Sequence, residues 1–244
     1  VMDLPITESQ VNSLMVVLSI LGLCLYLTHG ISVAPHSKRQ IVAEWIVEKV
    51  QNMVNSNMGA YFSAFAPFIA GIMFISAFSS LSSLLGLFPP TSDMNIVAGW
   101  AILVFVLITY YKLKGGLLPY VKGFFEPVFI FAPFNIIGEV ATPVSMSFRH
   151  YGNVLSGMVI STLVAYALQT LSHMLLGWLP GVLGQFPFLQ VGLPAILSLY
   201  FDIFSGLMQA FIFALLTTIY ISTGFPQEEY ERRKAKRKKA LHTA

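Results

Sequence analysis

Residues 143–157, PVSMSFRHYGNVLSG, place one arginine, Arg149, inside a run of otherwise apolar and small residues. FIFAPFNIIG precedes the run and VLSGMVISTLVAYAL continues it, so a helix carrying Arg149 is directed into a lipid bilayer. A guanidinium at the bilayer centre costs about 2.5–3.5 kcal/mol on insertion scales and about 10–17 kcal/mol in simulations of a lone helix. Arginine has no neutral form to retreat to. Snorkelling to the headgroups is the commoner fate of arginines that flank spans. Here apolar sequence extends on both sides, which favours a cation that the protein uses.

Working outward, the chain has 244 residues, 56% hydrophobic and 10% charged, whereas soluble domains carry about 25% charged residues. Lipid is therefore the solvent for most of it. The basic residues gather at Lys38-Arg39, at Lys112 with Lys114, and in the tail from Arg232 to Lys239. That tail has no second basic face or aromatic platform beside it, which argues against nucleic acid as a partner. Cys24 stands alone and forms no internal disulfide. The first apolar run, residues 11–28, lacks a basic lead-in and a small-residue cleavage site and reads as a retained span.

The pattern predicts an all-α polytopic membrane protein, one integral membrane domain over residues 1–244. Its spans fall at residues 11–28, 65–88, 95–111, 139–177 and 191–223, each long enough for the roughly 20 residues a bilayer requires. Residues 40–58 mix polar and apolar positions and read as an interfacial helix. The proline- and phenylalanine-rich residues 115–138 read as an irregular interfacial segment, and residues 226–244 as a basic cytoplasmic tail. Serines and glycines in GIMFISAFSSLSSLLG mark a packing helix. With five spans, every basic cluster lies on the cytoplasmic side, so the amino terminus and the loops around Asp93 and Trp178 lie outside. The last two spans exceed an upright crossing: 33 residues at 1.5 Å each extend about 50 Å, against a core of about 30 Å. A long, steeply tilted hairpin is expected.

At helical spacing Arg149, Asn153 and Ser156 share one face, and Ser198, Asp202, Ser205 and Gln209 form a polar stripe along the last helix. A structural ion pair between Arg149 and Asp202 would explain two of these residues and leave the stripe unaccounted for. Glu139, ten residues before Arg149, lies near the cytoplasmic start of its helix, and Asp202 nearer the outer end of the last. Carboxylates on opposite membrane sides of one arginine point to two water-accessible routes that meet at a common point. His150 reads as a packing residue. No P-loop, GxSxG, HExxH or CxxC occurs, so no cofactor, metal or catalytic site is expected.

PVSMSFRHYGN resembles the PxSxxxRxxGN signature of the subunit a family of F-type ATP synthases, bacterial type. LFPPTSDMN and GLMQAFIFALLTTIYIS resemble that family's other two signatures, in order, between residues 65 and 222. The resemblance implies that Arg149 is the essential cation facing the carboxylates of a rotating c-ring, that Asn153 belongs to the same motif, and that Gln209 faces the rotor. It implies that Asp202 stands where members carry a protonatable His or Glu in the outer half-channel; the stripe adds Ser198 and Ser205 beside it, and the placement of Glu139 near the cytoplasmic start of its helix suits an inner half-channel. Met158 departs from members that carry a carboxylate there. The implied protein is a non-catalytic stator subunit in the plasma membrane that passes H+ or Na+ to and from the ring. Its implied partners are the c-ring, the peripheral-stalk subunit b, the F1 head and the bilayer. The alternative, a secondary cation-coupled transporter, lacks the expected internal repeat of broken spans.

Overall fold

The computed structural model describes residues 7–32, 37–114, 116–125, 130, 132–176 and 188–227. The loop around Trp178, His36 and the run Arg232 to Lys239 fall outside them. The described residues form helices joined by short turns, with no strand among them, in the order α1 (Glu8–Thr28), α2 (Lys38–Met58), α3 (Ala66–Leu81), α4 (Met94–Lys114), α5 (Leu117–Phe124), α6 (Ala132–Leu176), α7 (Phe188–Ser198) and α8 (Gly206–Gly224). A π-helical segment, Leu199–Ser205, joins α7 to α8. Five segments are long and apolar enough to cross a membrane: Glu8–Thr28, Tyr61–Leu85, Met94–Lys114, Ala132–Leu175 and Gly192–Gly224.

One bound differs from expectation for an identifiable reason. α6 begins at Ala132, not at Glu139, because Pro133 stands in its first turn, where its missing N–H removes no helical bond. The segment expected to be irregular therefore holds helix in two places, α5 and the first turns of α6. α6 also continues through Pro143, with the Ser147 hydroxyl donating to the Pro143 carbonyl at 2.9 Å and the Thr142 hydroxyl to the Gly138 carbonyl at 3.1 Å. Ser/Thr back-bonds of this kind partner backbone groups near a break.

The chain divides into two compact units: Val1–Tyr26, Ile72–Met94 and Arg149–Ile212 form the first, and Leu27–Gly71, Asn95–Phe148 and Phe213–Ala244 the second. In the first unit α1 buries only a narrow stripe, Ser9, Asn12 and Val16, while Leu14, Leu18 and Leu25 stay exposed, as befits a helix whose other side meets lipid. Asn12 Nδ2 donates to the Phe88 carbonyl at 2.9 Å, pinning α1 to the turn after α3. Gly86 makes that turn possible with φ of 74°, a left-handed conformation that glycine adopts without steric penalty.

In the second unit α4 buries Val97, Ala101, Val104 and Ile108, positions i, i+4, i+7 and i+11 on one face, and exposes Ile102, Leu103 and Val106. α2 starts on a Ser37 cap, whose hydroxyl accepts from the Arg39 N–H at 3.3 Å, and buries Val50, Val54 and Met58. An aromatic knot closes this unit: the Phe62 ring lies 5.2 Å from Tyr111 and 5.3 Å from Phe225, and Tyr61 stacks on Phe225 at 5.0 Å.

Phe62 is fully enclosed by that knot, so Phe62→Ala is expected to lose about 3–5 kcal/mol. Thermal inactivation in detergent should show a midpoint lowered by several degrees, while Leu103→Ala on the exposed face of α4 stays within about 0.5 kcal/mol of the parent. Equal midpoints for the two variants would refute this packing.

Candidate functional site

α6 enters the first unit at Arg149 and presents three consecutive kinds of environment. Arg149 itself is exposed, and among the described residues it makes no hydrogen bond or ion pair. The expected alternative of an Arg149–Asp202 pair is therefore not formed. His150, one residue and about 100° around the helix, is fully buried, with its Nε2 3.3 Å from Ser76 Oγ on α3. Asn153, one turn on, faces the π segment: its Nδ2 donates to Ser205 Oγ at 2.7 Å, and the Ser205 hydroxyl contacts Asn153 Oδ1 at 2.9 Å. These contacts lock α6 in rotation, with Arg149 turned outward.

Asp202 sits inside the π segment. Its Oδ2 accepts from the Ser198 hydroxyl at 2.5 Å. The carboxylate lines a narrow cleft with Ser80, Ser83, Asn153, Met158 and Phe201, with room for about one water molecule. Ser80 is 4% exposed, and its hydroxyl has no hydrogen-bond partner among the described residues. It is a buried polar atom available to whatever enters the cleft. Two glycines bring the walls together. A Cβ on Gly157 would lie 3.0 Å from the Phe201 ring, and one on Gly206 would lie 2.7 Å from Ser80 Cβ.

Of the polar stripe, Ser198 is paired with Asp202 and Ser205 with Asn153; Ser198, Asp202 and Ser205 are half-buried, and Gln209 is buried at 6% exposure. Residues 199–205 carry the i→i+5 bonding of a π segment.

Glu139 belongs to the second unit and has a site of its own. Lys112 Nζ lies 2.9 Å from Glu139 Oε1, and the Tyr120 hydroxyl donates to the same oxygen at 3.1 Å. A cavity of about 540 Å3 opens beside them, lined also by Asn135, Thr142 and Thr223. Burial, then the Glu139 charge and its hydrogen bond, push the Tyr120 phenol up to about 12. It stays protonated, and a donor, at any working pH. The sequence reading missed Lys112 and Tyr120 as site residues. In the sequence Lys112 carries only an orientation signal, although it and Glu139 sit at the same-side ends of consecutive spans. Ser76 and Ser80 were absorbed into a packing helix.

Among the described residues no group of three or more His, Cys, Asp or Glu side chains could hold a metal. Comparison with known proteins places a family model, ATP synthase A chain, on residues 11–222. ATP synthase subunit a of Bacillus pumilus is 31% identical over 90% of this chain and 93% of its own length. The Bacillus subtilis protein of the same name is also 31% identical, over 90% and 93%. A sodium-ion-specific subunit a of Propionigenium modestum is 28% identical over 93% of this chain and 76% of its own.

Gly206→Ala is expected to destabilise the protein by about 1–3 kcal/mol through overpacking, and adding Ser80→Gly should recover most of that loss by removing the opposing Cβ. Thermal midpoints of the two variants decide it: no recovery in the double variant would mean that the Ser80–Gly206 approach is not the limiting contact.

Proposed function

Because this chain belongs to the ATP synthase A chain family, we propose that within the rotary complex it is the stator subunit whose Arg149 faces the c-ring and divides two aqueous half-channels. The single observation that carries this is the exposed, unpaired guanidinium of Arg149 on a membrane-spanning helix. A permanent cation in low dielectric demands an anion, and no side chain of this chain's described residues supplies it. A carboxylate on a passing partner does. As each ring carboxylate arrives it stays charged beside Arg149, because an opposite charge within a few ångströms favours the ionised form. The same positive charge bars a cation from crossing directly between the two routes. The subunit itself performs no bond chemistry; it conducts H+ or Na+.

In this reading Asp202, oriented by Ser198 and reached through the cleft beside Ser80, is the relay of the outer route, and Glu139 serves the inner one. Asn153 and Ser205 hold the arginine's helix in register. Met158 lines the same cleft as Asp202, so a carboxylate at either position would serve the same route. The protein sits in the bacterial plasma membrane, amino terminus outside and carboxyl terminus in the cytoplasm. The long last spans lie tilted against the ring, and the peripheral-stalk subunit b and F1 head complete the machine. A secondary transporter has no observation in its favour.

Arg149→Ala in reconstituted complex is expected to abolish ATP-driven pumping and ATP synthesis while ATP hydrolysis by the detached head persists; vesicles that still make ATP at the parent rate would sink the assignment. Asp202→Ala should lower coupled transport by about tenfold or more, a loss on the scale of a positioned proton-transfer group, and Met158→Glu added to it should restore part of the rate. The coupling ion is read from whether Na+ slows modification of the complex by a carboxyl-directed reagent. Protection means Na+, and its absence means H+.

A further inference from the structure

Glu139 uses only half of its carboxylate. Lys112 and Tyr120 both engage Oε1, whereas Oε2 makes no hydrogen bond among the described residues. The cavity that Glu139 lines carries the amide of Asn135 and the hydroxyls of Thr142 and Thr223. Lys112 comes from the last turn of α4 and reaches Glu139 by laying its stem across the end of α8. A Cβ on Gly224 would lie 3.1 Å from both Cγ and Cε of Lys112, so a bare glycine is what lets the stem cross. Tyr120 comes from α5, and Tyr220 of α8 lines an adjoining cavity with Lys112 and Glu139. Lys112, Tyr120 and Tyr220 are the titratable groups that α4, α5 and α8 bring to Glu139, and α6 adds none to the lining.

A partly exposed pair of this kind adds little to stability, so its consequence is electrostatic. We propose that the Lys112 ammonium is a tethered competitor for the transported cation: it occupies one oxygen of Glu139, leaves the other open to the cavity, and so sets how much coupling cation is needed to load the inner route. Tyr120 and Gly224 are positioning residues for that tether, the first by donating to the same oxygen and the second by clearing the path of the stem. The proposal rests on the ion-translocation reading of Glu139 given above. Removing the tethered charge frees the carboxylate, so the inner route loads at a lower cation concentration. Releasing the ion in the opposite direction then becomes slower.

The test uses the whole complex in inverted vesicles, with ATP-driven pumping measured against the cation concentration on the ATP-exposed side, H+ varied without Na+ and Na+ varied at fixed pH. Lys112→Met is expected to lower the half-saturating concentration of the coupling cation by about threefold or more, the attraction being screened where Lys112 meets solvent. Lys112→Arg should stay near the parent. Gly224→Ala, which keeps the charge but obstructs the stem, should move in the same direction as Lys112→Met, and Tyr120→Phe less so. A purely structural clasp predicts a lower maximal rate with an unchanged half-saturating concentration, and that result overturns the proposal. Arg149→Ala run in parallel separates the two readings: if it still pumps, the stator assignment fails, and if it is inactive while Lys112→Met leaves half-saturation unchanged, only the tether fails.

Discussion

A permanent positive charge held in a membrane is the constraint from which the rest of this protein follows. Arg149 cannot discharge, and burying it unpaired carries a penalty of several kcal/mol at the least. The chain meets this by leaving the guanidinium on an exposed face and spending its internal polar contacts on the residues around it. His150 is drawn inward to Ser76, and Asn153 is tied to Ser205. Each bond between helices fixes the rotation of α6 and, with it, the direction in which Arg149 points. In the function proposed above, that charge is left for a carboxylate of the ring to neutralise.

The carboxylates are handled differently from the arginine and from each other. Asp202 is held by a hydroxyl one turn away on its own helix, in a cleft so narrow that Gly157 and Gly206 are needed to let Phe201 and Ser80 approach. Glu139 is held by an ammonium and a phenol from two other elements beside a much wider cavity. If the two sites serve as the proposed routes, the narrow one suits single-file passage and the wide, charged one exchange with bulk water. The π segment that carries Asp202 is a local departure from α geometry of the sort that recurs at functional sites.

Much of the architecture was legible before any coordinates. Long apolar runs, proline and glycine breaks and the placement of lysine and arginine define five spans, because the bilayer imposes length and the loops carry the charge. Arg149 stood out for the same reason, as a charge where transfer energetics allow none without purpose. Helix ends were less legible. The start of α6 was hidden by Pro133, which reads as a breaker in a sequence but is harmless in a first turn.

The sequence by itself therefore determined what each segment must do with respect to lipid, since that depends on composition summed over about twenty residues. It determined the charged and polar groups available for ion handling, and the family. Only the tertiary structure decided which of those groups meet. The pairing of Lys112 with Glu139, the burial of Gln209 and the approach of Ser80 to Gly206 all depend on the rotation and register of separate helices. Those are set by contacts between residues far apart in the chain, such as Asn153 with Ser205, and by a π turn that no periodic reading of residues 198–209 anticipates.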